Sequence, residues 1–579
     1  MKPSANAASA KNKSNLNTRI MKKLLSAAFC LLLSLTAQAQ TPKWASQARK
    51  AIISIVTYDK DNKIMNTGNG FFVKADGTAV SDYGLFEGAQ RAVVIDSDGK
   101  EFPVDCILGA NAMYDVVKFR IQTDKEVDAL TLANTPAAVG STVFLLPYAS
   151  QKDVTPARGT VDACTQVEGK YHYYTLHLQT SDKTVSCPIT NAEGQVLGMI
   201  QKSADADAAN SYAIDAAFAS DLTLNALSRV DHALNSIGIR KGLPEKEDDA
   251  QVYLLMSAGL PEADYLALIN DYIRQFPTSH EGYLRRATFY MDKKDDEHNK
   301  LAEADITRAL EVSTRKDDAY YNACKLVYQA VANGLQYPDW TLQRAMQLIE
   351  EAIKLRPLPL YVQTQGDLYF GMKDYAKAYE CYDRVNHSEL RSAESLFSAA
   401  RTKQVMGAND EALALMDSTV AFFGPLLTEK AAPYVFQRAQ MKASIGKYRE
   451  AVADYNEYER LVLGKANAEF FFIREQAEMQ CRLYQQALDD IEKAVEMDPK
   501  QVAYIIEQVA LYTRFSQFDK AVEAARRGIE LAPDNADLYR MMGFGQIQLK
   551  QKEAGRQSLL KAKELGDPNA ATLLEKYGK

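Results

Sequence analysis

A 34-residue spacing in the second half restricts this chain's fold more than any other feature. Ala487, Ala521 and Gly555 stand 34 apart, as do Pro499 and Pro533, and Ala378 and Ala412. A second series of small residues, Ala309, Ala352, Ala494, Gly528 and Ala562, falls seven positions after small residues of this kind. Small side chains seven apart share one helix face and let a neighbouring helix come close. Two short helices cannot bury their apolar faces alone, so a chain that repeats such a pair must stack the copies into one continuous core. The spacing predicts an all-α solenoid over residues 249–568, about nine repeats with the first two irregular, followed by a helical tail at 569–579.

The unit from Tyr361 to Val385 carries Gly366, Tyr369, Ala378 and Tyr382 at the signature positions of the tetratricopeptide repeat, which the helical half therefore resembles. Pro277, Pro357, Pro499 and Pro533 fall where that repeat ends its second helix. Glu475 stands where the motif takes a small residue, and a rotated helix is the expectation there. The resemblance implies a concave groove that binds protein or peptide partners. By the motif's numbering, Phe370, Phe436, Phe472, Ile506 and Phe544 face it, a stripe suited to an extended segment or a partner helix. The alternative for the same rings is packing between repeats.

Ahead of residue 220 the pattern is different. Short β-branched runs such as Ile52-Ile53-Ser54-Ile55-Val56 and Ala92-Val93-Val94-Ile95 alternate with turns at Asp76-Gly77, Asp98-Gly99 and Glu193-Gly194, which predicts an all-β barrel or sandwich. Residues 221–248 read as a helix and then a polar linker, Gly242-Leu243-Pro244 followed by Glu245 to Asp249.

Asn69-Gly70-Phe71-Phe72-Val73, Ser81-Asp82-Tyr83-Gly84-Leu85 and Asp115-Val116-Val117-Lys118-Phe119 resemble, in order, the first-barrel blocks of trypsin-like peptidases of the high-temperature-requirement type. Gly159-Thr160-Val161, Leu178-Gln179-Thr180-Ser181 and Ser211-Tyr212-Ala213-Ile214-Asp215 are similar to blocks of the second barrel, so the resemblance spans residues 46–220. It implies a double β-barrel. The overall expectation is multidomain: an all-β trypsin-like front and an all-α repeat solenoid behind it.

The resemblance also fixes where catalysis belongs, and there the sequence departs. The histidine position holds Gly84, Asp115 is the one remnant of the triad, and Lys183-Thr184-Val185-Ser186-Cys187-Pro188 stands for the nucleophile loop with Val185 at the serine position. Lys183 and Ser186 replace glycines that shape the oxyanion hole. Acyl transfer needs a nucleophile and a base within hydrogen-bond reach. Without them the expectation is a non-catalytic scaffold or adaptor; the alternative is a serine- or cysteine-type peptidase rebuilt around Ser186 or Cys187, with His172 or His177 as base. A third reading makes the barrel only a cap for the first repeat. No cofactor or metal site is expected, since no phosphate loop, HExxH or acidic calcium loop occurs.

Residues 21–39 have the form of a secretory signal, which makes Met21 the alternative start. Lys22 and Lys23 precede the apolar run Leu24–Leu35, and Ala37-Gln38-Ala39 is a cleavage site leaving Gln40 first. Cys30 is placed unlike a lipid-anchor cysteine. The expected location is the periplasm or outer-membrane surface of a Gram-negative bacterium. Residues 1–39 hold six Lys/Arg and no acid, so the remainder has 62 bases against 75 acids, a charge of −13 with no basic patch for nucleic acid. No apolar run reaches the length of a membrane-spanning helix. Six cysteines remain beyond the leader, with Cys164–Cys187 the pair to test as a bridge and buried free thiols the alternative.

Overall fold

The computed structural model describes residues 41–148, 155–202 and 210–577. The leader with Met21 and Cys30, the junction at Gln40, and the last two residues of the tail lie outside them. The chain divides into two compact units, Met1–Phe289 and Tyr290–Lys579.

In the first unit, β1 (Ile52–Tyr58), β2 (Ile64–Phe72), β3 (Thr78–Ser81), β4 (Arg91–Ile95), β5 (Glu101–Asn111) and β6 (Val116–Ile121) close a barrel in the order β1-β2-β3-β6-β5-β4. β7 (Thr142–Leu145), β8 (Ala157–Val167), β9 (Tyr171–His177), β10 (Pro188–Thr190), β11 (Val196–Ile200) and β12 (Asn210–Asp215) close a second in the order β10-β11-β12-β9-β8-β7. All neighbours within both are antiparallel. Closure removes exposed strand edges and leaves inward side chains to fill each interior. Ile53, Ile55, Phe71, Phe86 and Phe119 are buried in the cluster that fills the first barrel, with the rings of Phe86 and Phe119 5.0 Å apart. Val143, Val161, Tyr174, Leu176, Cys187 and Ile189 form the core of the second. Each such side chain contributes roughly 1.5–3 kcal/mol by leaving water. Gly70 is required for closeness: a Cβ there would stand 2.6 Å from the Val80 carbonyl oxygen on β3.

A short helix, Ala216–Asp221, follows β12, capped at its start by Asp215, whose carboxylate accepts from the Ala217 N–H at 2.8 Å. Its end is satisfied by a lysine from inside the first barrel's wall. Lys118 on β6 is 2% exposed, and its Nζ donates to the carbonyls of Ser220 and Leu222 at 2.8 and 2.7 Å. An ammonium at a helix C-terminus meets the negative end of the peptide dipoles, which compensates for burying the charge.

The stretch expected to be a solvated linker is bound instead. Gly242, Leu243 and Pro244 are buried, and the Gly242 N–H donates to the Ile107 carbonyl while the Ile107 N–H donates to the Arg240 carbonyl, both at 2.9 Å. The Arg240 guanidinium bridges Asp105 of β5 and Asp271 of the helix Glu262–Gln275. The acids Glu247, Asp248 and Asp249 form the first turn of the helix Glu247–Met256, where anions complement the helix dipole. A composition of Gly, Pro and charge reads as a linker only until a strand edge takes up its backbone.

In the second unit, helices of 12–17 residues succeed one another from Asp296 to Glu564, before the last helix Pro568–Tyr577. Between paired helices the chain passes one residue in the left-handed region: Lys373, Gly407, Gly446, Arg482, Ser516 and Lys550, with φ between 58° and 78°. The following N–H returns to a carbonyl five residues back, as in Asp374 to Tyr369, Ala408 to Lys403 and Gln517 to Tyr512. That arrangement closes a helix C-terminus, and glycine fills its left-handed position in only two of these six turns. Arg438 grips Asp454 at 2.8 and 2.7 Å, and Arg474 grips Asp490 at 2.7 and 2.8 Å, so consecutive repeats carry the same two-pronged clamp between their helices.

Glu475 does not rotate its helix. It is fully buried at the place occupied by Gly366, Ala400, Ala439 and Val509 in neighbouring repeats, and neither carboxylate oxygen has a partner. Burial first, then Glu507, Glu478 and Asp490, push its pKa up to about 8, and Glu478 on the same helix is also pushed up to about 8, mainly by burial. Both carboxyls are therefore held as the neutral acid, in line with the cost of an unpaired buried charge. A raised carboxyl pKa means that the folded state binds the proton more tightly than the unfolded chain. The stabilisation it gives is complete below the ordinary value of 4.5 and is lost as pH rises towards 8. Urea melts of the second unit's helices should accordingly show falling stability between these pH values, and Glu475→Gln should flatten the dependence; an unchanged slope would contradict the assignment.

Candidate functional site

The positions that the peptidase resemblance singles out come together beside the ends of β3 and β6 and the loop before β10. Gly84 donates its N–H to Asp115 Oδ1 at 2.7 Å. A Cβ built on Gly84 meets one atom within 4 Å, the same Oδ1, at 3.5 Å. Glycine thus stands where a side chain would point at the carboxylate, with open space around it. Asp115 is held at φ 49°, which aims its side chain back across the turn.

Val185 precedes the residue that governs the loop. Ser186 lies at φ 63°, a left-handed conformation that costs a non-glycine residue roughly 1–2 kcal/mol. It is fully buried, and hydrogen bonds fix it on both sides. Its hydroxyl donates to Asp82 Oδ1 at 2.6 Å and accepts from the Asp82 N–H at 3.0 Å, while its own N–H donates to the Ile200 carbonyl at 2.8 Å. The Leu85 N–H, at 3.0 Å, supports Asp82 Oδ2. Burial pushes the Asp82 carboxyl up; the Ser186 hydroxyl opposes that, and the nearby Asp115 charge adds to it. Asn69 seals the loop from below, donating to the carbonyls of Lys183 and Val185 at 2.9 and 3.0 Å.

Cys187 faces the other way, into the second barrel's core, with its thiol pushed up to about 12 by burial. All six described cysteines are free thiols, Cys164 and Cys187 included. His172 Nδ1 lies 3.4 Å from Asp215 Oδ2, and His177 is exposed on β9, paired in register with Asn210. Among the described residues no histidine hydrogen-bonds to Ser186 or Cys187.

The second candidate surface belongs to the repeats. Phe370, Phe436, Phe472, Ile506 and Phe544 are all half-buried. Phe436 packs its ring 5.0 Å from Tyr458 and 6.3 Å from Phe470 of the next pair, Phe472 lies 4.9 Å from Tyr504, and Phe544 lies 6.0 Å from Phe518 and 6.1 Å from Tyr577. Ile506 sits against the same cluster as Phe436 and Phe472. Those four are engaged with neighbouring helices. Phe370 packs its ring 5.3 Å from Tyr375 and also lines a cavity of about 220 Å³, together with Tyr328, Asp367, Tyr382, Phe397 and Arg401. Sequence reasoning missed Asp367, although it directly follows the signature Gly366; charge inside an aromatic stripe was the available signal.

Residues 68–199 match the family model described as trypsin-like peptidase domain. With two closed six-stranded barrels, the front of this chain is a trypsin-like peptidase domain by fold, and a tetratricopeptide-type helical region follows it. Sperm-associated antigen 1 of Rattus norvegicus is 27% identical over 143 residues, 24% of this chain, and the anti-sigma-I factor RsgI9 of Acetivibrio thermocellus is 22% identical over 151 residues, 26% of this chain. The chain spans only 16% and 21% of the lengths of these two relatives. Among solved structures, the active form of the Rv3671c protease from M. tuberculosis aligns with a TM-score of 0.28 and 17% identity, covering 34% of this chain and 86% of that one.

The space at Gly84 yields a direct expectation. Gly84→His should fold with stability changed by no more than about 0.5 kcal/mol, and the new imidazole should titrate above the ordinary histidine value of roughly 6.5 because Asp115 stabilises its charged form. A proton NMR titration of the variant checks this; a value at or below the ordinary one would show that Asp115 is not presented to this position.

Proposed function

We propose that this protein is an exported, non-cleaving scaffold that holds a polypeptide segment in the groove of its repeats. The observation that carries the reading is Gly84: the atom position facing Asp115 has no side chain, so nothing there can take a proton from a nucleophile. Val185 offers no hydroxyl or thiol. Ser186 is buried with its proton committed to Asp82, and Cys187 is buried as a neutral thiol, so neither matches the exposed, base-paired nucleophile that a rebuilt site requires. The leader at residues 21–39 supports export, to the periplasm or the outer-membrane surface in this reading, and the relative named as an anti-sigma factor, from a bacterium, supports a bacterial setting. The described helices include none long and apolar enough to cross a membrane. The domain limits that go with this reading are 46–220 for the peptidase-like part and 249–568 for the repeats.

The test uses the processed chain, Gln40–Lys579, immobilised and incubated with reductively unfolded casein. Casein should be retained in a saturable manner and recovered at full length by mass spectrometry. Fragments that disappear with Ser186→Ala or Cys187→Ala would overturn the non-cleaving reading, and no retention would overturn the groove reading.

A further inference from the structure

The Phe370 cavity has a chemistry of its own. It is built from three successive first helices, Lys316–Ala332, Pro359–Gly371 and Ala393–Val405, with Tyr382 contributed by the helix Tyr375–Asn386. Four aromatic rings, Tyr328, Phe370, Tyr382 and Phe397, surround one carboxylate, Asp367. That carboxylate accepts one hydrogen bond, from the Tyr382 hydroxyl at 2.7 Å, and no cation of the described residues pairs with it. Burial first, and then Glu394, push the Asp367 carboxyl up to about 6. Arg401 leaves Asp367 unpaired and lays its guanidinium over the Phe370 ring, 5.1 Å from the centroid. A cation of this chain already rests on one of the rings, which shows that the wall accepts positive charge on its faces.

We infer that this cavity receives the cationic side chain, lysine or arginine, of the segment bound in the groove, with its charge against Asp367 and its methylenes between the rings. The inference rests on the groove reading above. Ring faces carry negative electrostatic potential, and a half-desolvated carboxylate lacks the solvation that a bound ammonium or guanidinium restores. An acidic guest would meet Asp367 and four ring faces, with the charge of Glu394 nearby, and Arg401 as the one favourable charge lining the cavity. An apolar guest would leave the carboxylate buried without a counter-charge.

The experiment uses Gln40–Lys579 and three small probes: Nα-acetyl-lysine N-methylamide, its Nε-acetylated form, and the glutamate analogue. Saturation-transfer NMR at pH 7.5 should show saturable binding of the lysine probe only. Asp367→Asn should weaken it at least tenfold, and Phe370→Leu should weaken it severalfold, each with the wild-type thermal melt. Binding should also fall as pH drops below about 6, where Asp367 gains its proton. The groups facing that carboxylate are Tyr321, Tyr328, Tyr382 and Cys381, with Glu394 and Arg401, and burial pushes the three tyrosines and the thiol up, away from that range. Equal binding of the three probes, no saturable binding of the lysine probe, or binding indifferent to Asp367→Asn overturns the inference. If casein is retained while the lysine probe fails, the cation site falls and the groove reading stands. If the probe binds and casein is not retained, the groove reading falls and the cavity keeps its cation chemistry.

Discussion

The hydrogen bond between the Ser186 hydroxyl and Asp82 joins the two barrels at the place where their loops converge. Asp82 follows β3 of the first barrel, and Ser186 precedes β10 of the second, 104 residues later. A buried hydrogen bond of this kind contributes roughly 0.5–3 kcal/mol, and losing one partner would leave either a buried carboxyl or a buried hydroxyl unmet. The same bond offsets the cost of the left-handed backbone at Ser186. It also determines chemistry. A hydroxyl that has no exposure to solvent and already donates its proton to a carboxylate sits inside the joint between the barrels.

The helical region is held by a different economy of charge. Arg438–Asp454 and Arg474–Asp490 clamp paired helices where repeats need them, each arginine meeting a carboxylate through two parallel bonds. One turn away, Glu475 is buried with neither oxygen partnered, and Glu478 meets Arg474 only at 3.8 Å; burial pushes both carboxyls up to about 8. Asp367 falls between these cases: one hydroxyl donor, four rings, and no cation. Its missing partner lies beside a cavity.

Much of this was legible in the sequence because it is periodic. Ala487, Ala521 and Gly555 give the helix-pair repeat directly, and all three are buried where helices meet. The β-branched runs of β1 and β4, set between turns, give barrel strands, and the ordered blocks around Asn69, Asp115 and Gly159 give the kind of barrel. What periodicity cannot carry was missed. The partner of Ser186 lies 104 residues away, and Gly242–Pro244 reads as linker although Ile107, over 130 residues earlier, binds its backbone. Glu475 shows the converse error: an acid at a small-residue position suggested a turned helix, whereas the helix keeps its phase and the carboxyl takes a proton. The groove stripe depended on helix position as well: Phe370 lies at a cavity, and Phe436 lies among the rings of its neighbours.

The most direct test of the central claim is mass spectrometry of Gln40–Lys579 after exposure to a fluorophosphonate and to an epoxide thiol-protease probe, native and urea-denatured. The account predicts no adduct on Ser186 or Cys187 in the folded protein. An adduct on either residue that forms only in the native state would show an activated nucleophile, and the non-cleaving reading would be wrong.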